Sequence, residues 1–367
     1  MPTEVRDISI PRPALPHGEL ADYELFWRNN YEWLKSRGYV LRARYEPNWK
    51  PSWEGTDKSW DKCEDAFRIW FSLNDATRIS DGTIVALKQI DERIHPHEAD
   101  IAQSFSAEPF ASDPTNHCTP VYEVLRNPND QEYVLLVMPF LRRFDDPRFD
   151  TFGEAVECFR QLFEGIQFMH KNNVAHRDCT LLNLMMDAAP LYPEPYHPVK
   201  TYMKRDFSGE AKHFTRTQRP ARYYWVDFGL SRRYNPQDGT PMEAPIWGGD
   251  KTVPEFQNSN EPRDPFPTDI YYLGSLIRET FIQEKIGFDF MQPLVTDMVQ
   301  DDPKQRPTID EVVARFEKIR QGLSSWKLRS RVVKSRDSPI PSIYRSITHW
   351  YRRVTFIVTR VSPVPKA

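Results

Sequence analysis

The apolar residues of this 367-residue chain change their spacing once, and that change limits the folds it can adopt. In the first part they form short runs, bounded by turn residues, of the kind that predict β-strands. Such runs occur at 76–79, 83–90 and 133–138. Asp81-Gly82 separates the first two runs and is a strong signal for a hairpin turn.

From residue 152 onward the apolar residues recur every three or four positions, which is the spacing of a helix with one buried face. The pattern predicts helices over 152–169, 270–281 and 310–319. Strands followed by helices predict an α+β fold with two lobes. Near the N-terminus, 20–34 carries a further helical stripe, and a lone helix cannot bury its own stripe. We therefore expect it to pack on the main domain.

Composition excludes several classes of protein. The net charge of −3 gives no overall nucleic-acid signature, so no nucleic-acid partner is expected. The four cysteines form no C-x-x-C pair, which argues against a disulfide framework or a zinc site and predicts an intracellular, cytoplasmic protein. The N-terminus lacks the apolar segment of a signal peptide, and the longest apolar run, 133–141, is too short to cross a bilayer.

Residues 174–183 directly follow the long predicted helix and contain His176-Arg177-Asp178, with Asn183 five positions after the aspartate. This spacing resembles the catalytic loop of protein kinases. Phosphoryl transfer needs a carboxylate that receives the proton of the substrate hydroxyl and a nearby amide oxygen that holds a metal ion. The resemblance implies that Asp178 is the base and that Asn183 binds Mg²⁺.

Two further segments resemble kinase motifs. Residues 223–229 form a β-rich run ending in Asp227-Phe228-Gly229, which resembles the triplet whose aspartate coordinates the Mg²⁺ of Mg-ATP. Upstream, 84–88 ends an apolar run at Lys88 and resembles the strand whose lysine pairs with the nucleotide phosphates.

The carboxylate that pairs with Lys88 should come from the next helix. We favour Glu98, since Pro96 can occupy a first helical turn and an apolar face continues after it. Glu92 and Glu108 are the alternatives.

Three structural markers of the same family follow in the family's order. Val253-Pro254-Glu255 resembles the end of the activation segment, 269–274 resembles the start of the buried helix below the catalytic loop, and 302–307 resembles the stretch whose arginine pairs with the segment's glutamate. The resemblance implies a buried bidentate ion pair between Arg306 and Glu255. In all, it covers roughly residues 66–320 and implies a two-lobed kinase fold, with a small β-rich N-lobe and a larger helical C-lobe.

The resemblance also implies which residues contact the nucleotide. Met138 stands at the back of the adenine pocket, and the carbonyl of Pro139 and the amide of Leu141 are available to the adenine edge. Ala86 and Leu73 occupy the positions that cover the base. A buried strand with no ligand is the plain alternative for 133–141.

The glycine-rich phosphate loop of the family is missing. Its three glycine positions fall on Ala66, Arg68 and Phe71, whose side chains should hinder the approach of backbone amides to phosphates. On the substrate side, Thr180 and Gly248 replace the lysine and threonine usual in Ser/Thr kinases. The missing glycines, together with the Trp/Tyr-rich leader and the long insertion at 188–222, resemble a fungal kinase-like group with a degenerate phosphate loop.

Regulation and partners are less constrained by the sequence. Arg177 could pair with a phosphate on Ser231, Tyr234, Thr240 or Thr252, although a segment that needs no phosphate is equally compatible. The insertion 188–222 is basic and could border the cleft and favour an acidic substrate, while a solvated loop is the plainer interpretation.

The tail, 323–367, is basic as well. Between 327 and 367 it has ten Lys or Arg and one acidic residue. Ile343, Ile347, Trp350, Tyr351, Val354 and Val358 could line one face of a helix. Such a segment could lie on an anionic membrane or bind an acidic partner. A disordered or domain-packed tail is the alternative, and 354–361 could also form a strand.

These patterns predict a protein kinase that transfers the γ-phosphoryl group of ATP, with Mg²⁺, to a Ser or Thr hydroxyl of a protein substrate. The alternative is a pseudokinase that binds nucleotide or acts as a scaffold, and a small-molecule phosphotransferase is a third, weaker hypothesis. The predicted domain organisation is an extension at 1–60, an N-lobe with hinge at 61–141, a C-lobe at 142–322 and the tail at 323–367.

Overall fold

The structure, a computed structural model, describes residues 18–67, 72–128, 130–246, 252–257 and 259–366. The chain divides into two compact units. Unit 1 comprises Met1–Val85 and Pro195–Ala211, and unit 2 comprises Ala86–Glu194 and Lys212–Ala367. Helices are combined with antiparallel strands, which is consistent with the predicted α+β class.

Unit 1 begins with two short helices rather than the single predicted one. They are α1, Asp22–Asn29, and α2, Tyr31–Ser36. The break lies at Asn30, whose backbone amide and side-chain Nδ2 both donate to the carbonyl of Phe26, at 3.1 and 2.9 Å. Trp27, Tyr31 and Leu34 of the predicted stripe are buried.

Strand β1, Tyr39–Leu41, pairs antiparallel with β2, Leu73–Arg78. At the end of β2 the chain turns at Asp81-Gly82, as predicted. Gly82 adopts a φ of 70°, and the amide of Arg78 donates to the carbonyl of Thr83 at 2.8 Å. The turn leads into β3, Ile84–Asp91, within which the boundary between the units falls.

Segment 195–211 of the basic insertion belongs to unit 1 and is anchored there. Arg205 donates to the buried carboxylate of Asp75 at 2.7 Å, and Arg42 reaches the same carboxylate at 2.9 Å. The ring of Phe207 stacks on Phe67 with centroids 5.5 Å apart. This part of the insertion is therefore not a solvated loop.

The rest of the insertion belongs to unit 2, and its arginines are also engaged. Arg216 is 2% exposed and donates to the carbonyl of Phe144 at 2.7 Å. Arg222 donates to the carbonyl of Asn116 at 3.0 Å. The interpretation as a solvated loop is wrong for these side chains, which hold the insertion against the protein.

In unit 2, β3 lies beside β5, Asp130–Pro139, and β5 lies beside β4, Glu123–Asn127. Strands β4 and β5 are antiparallel, with Leu125 opposite Leu135. A helix, α3, Glu98–Phe105, follows β3. These strands cover the predicted runs, and their bounds differ from the prediction by one to three residues.

The longest core helix of unit 2 is α4, Phe152–Lys171, which starts where the apolar period changes. Its N-cap, Thr151, accepts a hydrogen bond from the amide of Glu154 at 3.2 Å. The rings of Phe159 and Phe163 meet Phe316 on a later helix. That helix covers the predicted 310–319.

The helices after α4 are α5, Pro254–Gln257; α6, Pro265–Ile277; α7, Gln292–Met298; α8, Ile309–Gly322; α9, Ser325–Leu328; and α10, Pro339–Val358.

Two predictions for the C-terminal half change in detail. The predicted helix 270–281 starts earlier, because Asp264 caps it and Pro265 takes its first position, and it continues as a π-helical turn over Arg278–Gln283. The tail forms α10, so its helical interpretation is confirmed and the strand at 354–361 is wrong. None of the helices in the described ranges is long and apolar enough to cross a membrane.

Short strands complete unit 2 and position its loops. They are β6, Arg142–Arg143; β7, Val174–Ala175; β8, Leu184–Met186; β9, Tyr223–Trp225; β10, Arg232–Arg233; β11, Lys285–Ile286; and β12, Val333–Lys334. Strands β6, β8 and β9 form one antiparallel sheet, and β7 pairs with β10. The loop between β7 and β8 and the turn after β9 carry the candidate catalytic residues.

Candidate active site

The loop between β7 and β8 is held by one buried carboxylate. Asp269 of α6, which is fully buried, accepts the backbone amides of His176 and Arg177 at 2.8 and 2.7 Å. It also contacts Nε2 of His170 at 3.0 Å. Arg177 has a φ of 68°, a conformation that a non-glycine residue keeps only where its surroundings enforce it. The carboxylate of Asp269 supplies that constraint.

Asp178 and Asn183 meet at the end of this loop. Nδ2 of Asn183 donates to Oδ2 of Asp178 at 2.7 Å and to its backbone carbonyl at 3.0 Å. Oδ1 of Asp178 is buried and has no hydrogen-bond partner among the described residues. The two hydrogen bonds from Asn183 fix the orientation of Asp178, and an oriented carboxylate is suited to act as a general base.

Lys88 joins the two other predicted carboxylates. Its Nζ forms an ion pair with Glu98 of α3 and lies 2.9 Å from Oδ1 of Asp227. The alternative partners are engaged elsewhere, since Glu92 pairs with Arg126 at 2.6 Å and Glu108 accepts the Ser112 hydroxyl at 2.7 Å. Glu98 is therefore the partner of Lys88, as favoured from the sequence.

Asp227 lies just after β9, and the backbone links it to Asn183. The amide of Val226 donates to the carbonyl of Asn183 at 3.0 Å. Asp227 has a φ of 67°, and the amide of Gly229 donates to its Oδ1 at 3.3 Å. The two predicted metal ligands are thus positioned by adjacent segments of backbone, with a second non-glycine residue in the left-handed region.

The buried ring of Phe228 ties this turn to its surroundings. Its centroid lies 5.7 Å from the ring of His176 and 6.2 Å from the ring of Phe105 on α3. Nδ1 of His95, just before α3, lies 3.1 Å from the carbonyl of Gly229. A displacement of α3 would therefore change the position of Glu98 and of the turn that carries Asp227.

The surroundings shift the pKa values of Asp178 and Asp227 in opposite directions. Burial raises the pKa of Asp178, which increases its affinity for a proton. Burial acts in the same direction on Asp227, but the Lys88 ammonium outweighs it and lowers the pKa of that carboxyl. Asp227 is therefore anionic at neutral pH, as a Mg²⁺ ligand must be, and Asp178 is the more basic of the two.

Arg177 is already paired with a carboxylate of the segment after Asp227. Its guanidinium lies 3.1 Å from Glu243 and donates to the carbonyls of Leu230 and Ala244. The Tyr234 hydroxyl donates to the same Glu243 side chain at 3.0 Å. The sequence pattern missed Glu243, because a contact 66 positions from Arg177 leaves no periodic signal.

The four hydroxyls proposed as partners of Arg177 are in different settings. The Ser231 side chain is buried and donates to the carbonyl of His176, Tyr234 is bonded to Glu243, and the Thr252 hydroxyl is bonded to Tyr271. Thr240 is exposed. In this structure the carboxylate of Glu243 is the group that pairs with Arg177.

The ion pair implied for the end of this segment is present. Arg306 donates from Nη1 and Nη2 to the two carboxylate oxygens of Glu255 at 2.8 and 2.6 Å. Both side chains are almost completely buried, and the Thr268 hydroxyl donates to the same carboxylate. The guanidinium also lies 4.9 Å from the ring centroid of Tyr271. This pair anchors α5 to the helical part of unit 2.

The residues predicted to contact the nucleotide belong to different units. Ala86 and Met138 are buried in unit 2, where Pro139 and Leu141 are half-buried at and after the end of β5. Leu73 lies at the start of β2 in unit 1 and is 39% exposed. Of the glycine positions, Ala66 is buried in unit 1, while Arg68 and Phe71 lie outside the described residues, as does Gly248.

A metal ion would have few protein ligands here. Within the described ranges, no three His, Cys, Asp or Glu side chains form a cluster that could hold one. Magnesium in phosphoryl-transfer sites is usually held by one or two side chains, with phosphate and water oxygens as its other ligands. Asp227 and the amide oxygen of Asn183, which its hydrogen bonds to Asp178 leave free, fit that arrangement.

A comparison with models of known protein families finds none that matches this chain, and a comparison with curated proteins finds no match either. Function is therefore inferred from the residues and their contacts.

Proposed function

We propose that this chain is a protein kinase that transfers the γ-phosphoryl group of ATP to a Ser or Thr hydroxyl of a protein substrate. The observation that carries the proposal is the contact of Lys88 with both Glu98 and Asp227 in the unit that also joins Asp178 to Asn183. These five residues come from four separate segments of sequence. A set of charged and amide groups gathered in this way is what phosphoryl transfer requires.

Each residue has a role that its contacts support. Lys88, fixed by Glu98, would hold phosphate oxygens through its ammonium group. Asp178 would take the proton of the attacking hydroxyl on its carboxylate, whose pKa is raised by burial. Asn183 keeps Asp178 oriented through Oδ2. Arg177, paired with Glu243, holds the segment after Asp227 in place.

Asp227 and Asn183 would hold Mg²⁺, which when bound offsets the negative charge of the phosphate oxygens. The left-handed backbone of Asp227 and its bond from Gly229 orient the carboxylate before any ligand arrives. Preorganisation of this kind lowers the reorganisation needed during the reaction. In the structure the ammonium of Lys88 faces this carboxylate and neutralises its charge.

A two-lobed kinase fold is part of the same proposal. The order of the elements after α1 and α2 supports it: strands β1 to β5 and α3 come before the long α4, and α4 is followed by β7 and the loop with Asp178. The buried pair of Glu255 and Arg306 supports the protein-kinase branch over a small-molecule phosphotransferase.

A pseudokinase is the second candidate, and one sequence observation favours it. There is no glycine between Gly55 and Gly82, where the phosphate loop should lie. A chain of this kind could bind nucleotide or a partner protein without turnover. Binding of Mg-ATP would be compatible with both candidates, so only transfer separates them.

The discriminating experiment incubates the protein with Mg-ATP and a mixture of Ser- and Thr-containing peptides and measures phosphate transfer. We expect transfer that requires Mg²⁺ and falls by about 10²–10⁴-fold in Asp178→Asn, a range typical for loss of a general base. The exposed Asp57→Asn is the matched control and should retain full activity. Nucleotide binding with no transfer to any peptide would instead support the pseudokinase.

A further inference from the structure

The C-terminal helix α10 turns its charged face toward the protein. Arg352 and His349 both contact the carboxylate of Asp150, at 3.0 and 3.4 Å. Arg345 pairs with Asp337 at 3.0 Å. These ion pairs, together with the buried ring of Phe356, attach the helix to unit 2 by the side that carries its polar groups.

The opposite face of α10 is apolar and open to solvent. Nine of its residues are exposed, from 48% for Ile357 to 81% for Ile340. At 100° per residue they occupy an arc of about 140°. The nine are Ile340, Ile343, Tyr344, Ile347, Trp350, Tyr351, Val354, Ile357 and Val358. We call them the α10 apolar face.

Neighbouring elements extend this face. The ring of Trp326, 64% exposed, lies 6.2 Å from the ring of Trp350. The guanidinium of Arg353 lies 3.8 Å from the ring centroid of Trp326 and fixes its position. Ile286, 60% exposed, borders the same groove as Ile343. The exposed apolar surface therefore continues beyond the helix itself.

An amphipathic helix on a globular protein ordinarily buries its apolar face, because burial removes that surface from water. Here the arrangement is reversed along a helix of 20 residues. Contiguous exposed apolar surface of this extent marks a site of interaction with a membrane or another molecule. Ile94, which is equally exposed in the loop before α3, is not part of this face.

The charge of the tail indicates what kind of surface covers the α10 apolar face. Helix α10 has no acidic residue, and the segment 327–367 has ten cations and one acid, Asp337. Two of these cations, Arg345 and Arg352, are paired with Asp337 and Asp150. A second copy of this chain would bring an equally basic tail against the first. The positive charge left to meet a surface comes from Lys334, which lines the same groove as Ile343, and from the exposed Arg336 and Arg360. An anionic surface complements this charge without that repulsion.

The order of residues around the arc is that of a helix lying in a membrane interface. Ile and Val fill its centre, while Trp350 lies near one edge and Tyr344 and Tyr351 near the other. Trp and Tyr favour the boundary between headgroups and acyl chains, and aliphatic residues favour the acyl region. We propose that the α10 apolar face docks this protein on an anionic membrane surface, with the helix parallel to it.

The test measures binding of the full chain to vesicles by flotation. One set contains phosphatidylcholine alone and the other contains about one third phosphatidylserine. We expect binding to the anionic vesicles to be at least about tenfold stronger than to the neutral ones, and to weaken as salt screens the basic residues. Equal binding to both sets would overturn the anionic selectivity.

Ile347→Asp places a charge at the centre of the face and should weaken binding to anionic vesicles by about tenfold or more. Ile94→Asp is the matched control, with the same chemical change at a site of equal exposure (67% against 66%), and should bind as the wild type does. Equal melting temperatures for the two variants would exclude misfolding.

Unchanged vesicle binding by Ile347→Asp would contradict the proposal. So would a wild-type dimer that binds no vesicles and that Ile347→Asp converts to a monomer, since the occupant would then be a second copy. The proposal does not depend on phosphoryl transfer.

Discussion

Lys88 is the residue on which the charge balance of the candidate site depends. Its single ammonium group contacts the carboxylates of Glu98 and Asp227, one of which is almost fully buried. Burial raises the pKa of Glu98 even with the lysine beside it, because the surroundings disfavour the charged carboxylate. Removal of the lysine would leave that charge without its principal partner.

Lys88→Met should therefore lower the free energy of unfolding at pH 7 by about 3–5 kcal/mol, as for other buried pairs that lose one partner. With a folded-state pKa above its unfolded value, Glu98 binds more protons in the folded protein. The lost stability should then be recovered as the pH falls from 7 through that folded-state pKa. Denaturant unfolding at several pH values measures this.

The double variant Lys88→Met, Glu98→Gln is the control for the source of that pH dependence. It has no carboxylate at position 98, so the recovery in acid should shrink to the part that comes from Asp227, the other carboxylate that loses the lysine. Recovery of the same size in the double variant would show that another group is responsible.

The spacing of residues in the sequence does not predict that Glu243 pairs with Arg177. Glu98 could be chosen because Pro96 and the following apolar face predict a helix within reach of Lys88. No helical pattern of this kind includes Glu243. Its approach to Arg177 depends on the path of a long irregular segment. That path is fixed by contacts such as the hydrogen bond from Tyr234.

Glu243→Ala should loosen this segment, because it removes the acceptor of both Arg177 and Tyr234. We expect amide hydrogen exchange at 230–244 to accelerate, with little change in global melting, since local opening is uncoupled from global unfolding. Glu243→Gln keeps an acceptor oxygen and should stay close to the wild type. Unchanged exchange in Glu243→Ala would mean that other contacts hold the segment.

At the scale of elements, helix α5 is held by the buried pair of Glu255 and Arg306. Burial opposes ionisation of Glu255, but hydrogen bonds from Arg306 outweigh it and lower the pKa of that carboxyl. The pair thus joins the end of the segment after Asp227 to the turn before α8.

Arg306→Ala should lower the free energy of unfolding by about 3–5 kcal/mol, since it leaves a buried carboxylate unpaired. Arg320→Ala is the matched control, because its pair with Glu317 is partly exposed and such pairs contribute at most about 1 kcal/mol. Similar losses in the two variants, measured by denaturant unfolding, would contradict the importance assigned to the buried pair.

Element types were largely predictable, and their ends were not. The period change at residue 152 predicted α4 because its apolar stripe faces a core along its full length. The break between α1 and α2 at Asn30 and the π-helical turn at Arg278–Gln283 are local changes of backbone geometry. Neither leaves a trace in the apolar pattern.

Across the whole molecule, the largest difference from the prediction concerns the arginines of the basic insertion, which are bound within the fold. Their density suggested a solvated loop or a border of the cleft, yet Arg205 and Arg216 are bound to Asp75 and to the carbonyl of Phe144. A count of charges does not show which of them have partners in the fold. For the tail, the sequence predicts the apolar stripe of a helix. It does not predict that this stripe faces solvent.

The most direct test of the proposed nucleotide site is a thermal-shift titration with Mg-ATP. Ligand at about 100 times its dissociation constant adds about 2.7 kcal/mol to the stability of the native state. In a protein of this size the melting temperature should rise by a few degrees. We expect this Mg²⁺-dependent shift in the wild type and in the control Asp57→Asn, and its loss in Asp227→Asn. No shift in the wild type at millimolar Mg-ATP, or an equal shift in Asp227→Asn, would contradict the proposed site.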